Sequence, residues 1–231
     1  LSVDHMMVNN EYNRAARKLI ADGALGTVND ACFHMEFAYG YDPAEAATWR
    51  CSRWDEVGGP IGDVASHCFY MAEYLFNAEI TGLAAVYLPK LMNITVEDGA
   101  YIKFQLSDGR RCSAKVAFSE LRGGLGGTLS NLGYEIYGDK AVLRGFGTMF
   151  QLSGHPGEPL KVRLELDRFD RQESIQVDTV TNIYQAVIEH HAEAVAKGKF
   201  INAEDGLRNV LLCELAHQSA RANGAWMEVK S

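Results

Sequence analysis

The chain has 231 residues, 47% hydrophobic and 23% charged, with a net charge of −8. This size permits one large domain or two small ones, and the balance suits a soluble globular protein whose core needs no disulfide staple. The acidic surplus excludes general binding to nucleic acid or anionic membranes, which needs clustered Lys and Arg, and no apolar run is long enough to span a bilayer. Residues 1–8 are mostly apolar and are expected to form an edge strand. Asn10 is placed to cap a helix starting at Glu11, with Tyr12, Ala15, Ala16, Leu19 and Ile20 on one face and Gly23 and Gly26 beyond its end. Residues 28–39 alternate: Ala31, Phe33, Met35, Phe37 and Tyr39 share one side of a strand, and Cys32, His34, Glu36 and Ala38 share the other. Residues 40–60 read as a long loop carrying Trp49, Arg50, Arg53 and Trp54, a composition unlike that of a disordered tract.

A helix is expected from Ile61 to about Asn77, and from residue 80 to 177 the pattern is almost wholly β. Residues 80–88, 101–106, 111–121, 134–137, 141–144, 149–152, 160–166 and 173–177 read as strands, with hairpin turns at 107–109 and 138–140. Helices follow over 179–197, stopped by Gly198, and from an N-terminal signal at 202–205 to about Gly224. Residues 225–229 close the chain as a strand. Consecutive hairpin-linked strands with helices segregated from them predict an α+β fold with a predominantly antiparallel open sheet, rather than a doubly wound parallel one. The five cysteines (Cys32, Cys51, Cys68, Cys112 and Cys213) are widely spaced with no C-x-x-C, which points to a reducing, cytoplasmic setting. The glycine cluster at 123–127 lacks both the G-x-G-x-x-G and the P-loop spacing and is expected to be a hairpin connection.

The expected helix from Ile61 carries the chemistry. At about 100° per residue, Asp63, His67, Tyr70 and Tyr74 fall within roughly 60° of one another. Ile61, Val64, Ala65, Cys68, Ala72, Leu75 and Phe76 point the other way, into a core. A carboxylate one turn from an imidazole can set the tautomer and basicity of that imidazole, as general acid–base catalysis requires. The alternatives are a solvated helix face, or a metal site using Asp63 and His67 with His34 or His5. The metal reading lacks the H-E-x-x-H pattern and is short of ligands, so no metal is expected. His190, His191 and His217 are expected at the surface or the edge of the core.

Four stretches, in order, resemble the C-terminal domain of the glucose–fructose oxidoreductase / inositol dehydrogenase family of NAD(P)-dependent oxidoreductases. Residues 13–26 (NRAARKLIADGALG) look like its first helix. Trp49 and Arg50, then Gly58 and Gly59, then residues 63–67 (DVASH) look like its W-R … G-G … D-x-G-x-H segment. Residues 135–143 (EIYGDKAVL) look like its E-I-x-G-x-x-G-x-L hairpin, and residues 202–208 (NAEDGLR) with 219–221 (SAR) look like its closing helix. The resemblance implies an open antiparallel sheet with helices on one face, the other face serving dimer or tetramer formation. It implies that His67 accepts a proton as a hydroxyl becomes a carbonyl, and that Asp63 orients it or binds substrate. Arg50, Tyr39 and Tyr70 are then expected substrate contacts, Tyr70 standing where many members carry Asp. Residues 1–231 would form one substrate-binding and oligomerisation domain for a sugar, cyclitol or related polyol. NAD or NADP would be held mainly by a Rossmann domain upstream of Leu1, and this chain alone would be inactive.

Overall fold

Strand β1 (Val28–Glu36) runs through the middle of the molecule. The computed structural model describes residues 3–120, 130–149, 162–177, 182–199 and 203–230. The alternation read from the sequence is the one that packs: Ala31, Phe33 and Met35 are buried, and Cys32 and His34 turn to the opposite, open face. The other strands are β2 (Ile80–Tyr87), β3 (Gly99–Leu106), β4 (Arg111–Ala117), β5 (Leu132–Gly138), β6 (Val142–Phe146), β7 (Arg163–Asp167), β8 (Gln172–Ile175) and β9 (Met227–Glu228). Among the described residues they form one sheet in the order β8-β7-β6-β5-β1-β4-β3-β2-β9. Every pairing is antiparallel except β1 with β4, where Ala31 lies opposite Cys112 and Met35 opposite Val116. The expected α+β class and open antiparallel sheet are therefore found.

Helices cover one face of this sheet. They are α1 (Glu11–Ala21), the short α2 (Pro43–Ala46) and α3 (Trp49–Ser52), α4 (Ser66–Phe76), α5 (Ile183–Ala196) and α6 (Glu204–Arg221). Helix α4 lies between α1 and α6 and is buried on almost every side, Cys68 through Ala72 included. Helix α6 is tied to α4 and β2 by Arg208, whose Nη2 donates to Glu73 Oε1 at 2.8 Å and to the Ile80 carbonyl at 2.7 Å. As expected, Asn10 caps α1, its side chain accepting from the Tyr12 amide, and α6 has Glu204 and Asp205 in its first turn.

Three expectations are corrected. The first residues do not form an edge strand: Met6–Asn9 is a 3-10 turn with Met6 and Met7 buried. It is anchored by the buried Asn13, whose Nδ2 donates to the Met7 carbonyl at 2.8 Å and to the Thr148 carbonyl at 2.9 Å. The stretch 40–60 is not irregular, since α2, α3 and a 3-10 turn at Trp54–Glu56 occupy it. The helix expected from Ile61 begins instead with one π turn, Ile61–Ala65. His217 lies at the edge of the core, as expected, buried against Trp54 and with Nδ1 3.0 Å from the Tyr87 hydroxyl. The glycine cluster at 123–127, residues 150–152, 160–161 and 179–181 and the cap position Asn202 lie outside the described residues. No helix among the described residues is long and apolar enough to cross a membrane.

Candidate active site

The segment from β1 to α4 builds the site. Past Glu36 the chain stays pinned to the sheet, the Phe37 and Tyr39 amides donating to the Ala117 and Phe118 carbonyls at 3.0 Å each. Asp42 caps α2, and the chain then winds through α3 to Val57, which is left-handed at φ 53°. Gly59 follows at φ 92°, a conformation that suits glycine and strains other residues. The π turn comes next, and such turns are frequent at functional sites. It needs Gly62, because a Cβ there would meet the Val57 backbone carbonyl.

Glu97, between β2 and β3, supports this turn from beneath. It is 4% exposed, and its Oε1 accepts the Ile61 amide at 2.9 Å. A Cβ on Gly59 would fall on its carboxyl group. Its Oε2 is buried with no partner. Burial pushes this carboxyl up to about 8, opposed by the Ile61 amide and by the charges of Lys90 and Arg221. Sequence reading missed Glu97. The only trace of it there is an acid set between Val96 and the β-patterned residues that follow.

The five site residues expected from the sequence separate into two groups. In the first, Arg50 Nε donates to Asp63 Oδ1 at 2.8 Å, the Tyr39 phenol lies beside the same guanidinium, and the guanidinium also sits 4.9 Å from the Trp49 ring. Burial raises the Asp63 carboxyl and Arg50 opposes that rise. In the second, His67 Nδ1 lies 2.9 Å from the Tyr70 hydroxyl, which also accepts the Met7 amide at 3.3 Å. His5 stacks on Tyr70 with the ring centroids 4.2 Å apart. Burial, and then the neighbouring His5, lower His67 to about 4.

No hydrogen bond joins Asp63 to His67, so the aspartate is not the group that orients the imidazole. The π turn shifts the helical phase between them, and Arg50 takes the carboxylate. Tyr70, expected to touch substrate, is only 6% exposed and its hydroxyl is engaged by Met7 and His67. His34 is on the other face of the sheet, with Nδ1 3.1 Å from Glu36, so the structure does not bring it to His67. Among the described residues, no group of three or more His, Cys, Asp or Glu is arranged to hold a metal ion.

His67 and Tyr70 line a cleft of about 630 Å³. Trp49, Val57 and Val210 give it apolar walls, and Asp4, Asp55, Glu56, Ser66 and Asn209 give it polar ones. None of its described lining residues is Lys or Arg. The nearby Arg50 and Arg53 are already paired with carboxylates, Asp63 for the first and Asp55 and Glu56 for the second. The walls can stack a flat or apolar ring and hydrogen-bond hydroxyls, but they offer no cradle for a pyrophosphate.

An open, nearly all-antiparallel sheet with helices on one face and a histidine-bearing cleft at the β1–α4 connection defines the class of domain. The chain belongs to the GFO/IDH/MocA C-terminal domain family, whose model matches residues 13–144. It resembles the solved structure of aldose-aldose oxidoreductase from Caulobacter crescentus, complexed with glycerol, at 18% identity and TM-score 0.80 over 99% of this chain and 64% of that one. It also resembles an inositol dehydrogenase homolog from Azotobacter vinelandii complexed with NADH and myo-inositol, at 18% identity and TM-score 0.70, with the same coverages. Levoglucosan dehydrogenase, in complex with NADH and levoglucosan, matches at 19% identity and TM-score 0.73 over 98% of this chain and 65% of that one. At these identities the likeness establishes a shared fold, and the chain spans under two thirds of each of these proteins. No curated protein matches the chain.

Proposed function

We propose that residues 1–231 are the substrate-binding and assembly domain of an NAD(P)-dependent oxidoreductase that interconverts a hydroxyl and a carbonyl on an uncharged sugar, cyclitol or related polyol. The observation that carries this reading is the cleft itself. Among the described residues His67 Nε2 makes no hydrogen bond, and His67 lines the cleft together with Trp49. Carboxylates and the Asn209 amide around it suit hydroxyl recognition, and the described lining residues, none of them Lys or Arg, disfavour phosphorylated or acidic sugars. The solved proteins of the same fold named above hold glycerol, myo-inositol or levoglucosan, which are ligands of this kind.

Hydride exchange at the carbinol carbon is the chemistry a nicotinamide supplies when bound. The apolar wall at Trp49, Val57 and Val210 fits the ring end of such a cofactor. The rest is assigned to a Rossmann domain preceding residue 1. Asp63 holds Arg50 at the edge of the site, and His67 faces the reacting oxygen. The open sheet face, where Tyr101 stands 51% exposed beside Lys103 and Lys115, is assigned to dimer or tetramer formation. Tyr101→Glu is then expected to lower the mass seen by sedimentation.

The test is turnover of the intact protein on a panel of polyols with NAD and NADP. His67→Ala is expected to reduce kcat at least about a hundredfold, in the range found for loss of a group acting on the reacting oxygen. Unchanged turnover would remove His67 from the reaction. Calorimetry on residues 1–231 alone is expected to detect no nicotinamide binding, and micromolar affinity would overturn the assignment of the cofactor to another domain.

A further inference from the structure

The hydrogen bonds around Tyr70 decide which nitrogen of His67 carries its proton. The Tyr70 phenol is buried, and burial raises it well above its ordinary value, so it keeps its hydrogen. Of its two hydrogen-bond partners among the described residues, the Met7 amide can only donate. The phenol hydrogen is left with one acceptor, His67 Nδ1 at 2.9 Å. Burial and the adjacent His5 keep the imidazole neutral at neutral pH, so the ring holds one hydrogen in all. The charged and titratable groups around the pair among the described residues are Asp4 and His5, on the segment before α1, Cys68 on α4, Tyr184 on α5 and Asp205 on α6. None of them hydrogen-bonds to His67 among the described residues.

We propose that Tyr70 is a positioning residue, which by donating to Nδ1 holds His67 as the neutral Nε2–H tautomer and makes it a hydrogen-bond donor to the substrate oxygen. This rests on the reading of His67 as the group facing that oxygen, and it reverses the role expected from the sequence. Nε2 already carries a hydrogen, so it cannot take one from a hydroxyl unless the ring becomes cationic or changes tautomer. A cationic ring is opposed by burial. A change of tautomer would place a hydrogen on Nδ1 facing the phenol hydrogen, and the phenol would lose its acceptor inside the core. A neutral imidazole held this way donates to the substrate oxygen in either direction, polarising a carbonyl or binding a hydroxyl through that oxygen's lone pair; in oxidation the hydride goes to the nicotinamide and the hydroxyl proton to solvent water in the cleft, and in reduction water returns it. Tyr70 lines the cleft with only 6% of its surface exposed, and its one hydroxyl hydrogen is spent on His67.

Long-range ¹H–¹⁵N correlation of the imidazole rings in residues 1–231 at pH 7, with no substrate or cofactor, tests the proposal. His67 is expected to show a protonated, pyrrole-type Nε2 and a pyridine-type Nδ1. A protonated Nδ1 in the wild-type chain overturns the proposal whatever any variant does. Tyr70→Phe keeps the ring packing and removes the donor, and is expected to give a mixture of tautomers or the Nδ1–H form. A His67 pattern unchanged in a folded Tyr70→Phe chain overturns the role of Tyr70. Because these readouts need no turnover, failure of the tautomer assignment is distinguishable from failure of the oxidoreductase reading, which would show as an intact protein inactive on every polyol tried.

Discussion

The two halves of the site hang from the same π turn and solve different electrostatic problems. The Arg50–Asp63 half is a charge pair in which the cost of burial falls on one partner. Asp63 is buried and its carboxyl rises, while Arg50 keeps 41% of its side chain exposed and gains from the pairing. These opposite readings of one contact are compatible, because the half-solvated guanidinium gives up little hydration. The His67–Tyr70 half carries no formal charge. It is a row of hydrogen-bonding groups, Met7 amide, phenol and imidazole, ending at an Nε2 that has no hydrogen-bond partner among the described residues. A charge pair fixes a position, whereas a neutral row fixes a proton. The difference assigns geometry to the first half and chemistry to the second.

Disturbing the shared turn should abolish the distinction and has the largest expected effect. Gly62→Ala would push a methyl group into the Val57 carbonyl, backbone against backbone. A loss of about 3 kcal/mol in chemical denaturation is expected, the upper range for overpacking. Loss below about 1 kcal/mol would mean that the turn gives way easily and that the two halves are not held by it.

Replacing the ionisable carboxyl beneath the turn comes next. The folded pKa of Glu97 is raised from 4.5 to about 8, so the folded chain holds a proton that the unfolded chain has released. Stability from this group is complete below about pH 4.5 and is lost as pH rises to about 8. Glu97→Gln keeps an acceptor for Ile61 and cannot ionise. It should be more stable than wild type by about 2 kcal/mol at pH 8.5, with the advantage shrinking toward pH 5. An advantage that does not change with pH would show that Glu97 is not protonated in the fold.

Much of the framework was legible, because it follows from local pattern. The alternation at Ala31, Phe33 and Met35 put the central strand on the correct face, and the hairpins ordered the strands that follow. Asp63 and His67 share one row of the expected helix for the same reason. Their relationship was not legible, because a helix wheel assumes 3.6 residues per turn and the chain inserts a π turn between them. The cause of that turn is distributed: a close approach at Gly62, a left-handed Val57, and a carboxyl from Glu97, thirty-six positions beyond Ile61. Tyr70 looked like a substrate contact because its spacing puts it on the polar row. Only the packing of His5 and Met7 over it makes it internal.

The smallest effects set the two halves most directly against each other. His67 is lowered in the fold from 6.5 to about 4, so its stabilising contribution is present above pH 6.5 and is lost as pH falls toward 4. His67→Gln removes that sensitivity. Between pH 7 and pH 5 the variant should lose about 1 kcal/mol less stability than wild type, allowing for solvent at Nε2. His217, also lowered to about 4, leaves a common background in both proteins. Asp63→Asn should act with the opposite sign. The folded carboxyl is raised, so the wild-type contribution is present below pH 3.8 and falls as pH rises through the folded value. The variant should therefore gain relative to wild type as pH rises through that window. At pH 7 the gain meets the loss of the pairing with a half-exposed Arg50, and the net change should stay within about 0.5 kcal/mol. Opposite slopes from two residues one turn apart would show that they titrate independently. If Asp63→Asn instead moved the His67 midpoint by a full pH unit, the two halves would be coupled, and the aspartate would regain the orienting role that the hydrogen bonds give to Tyr70.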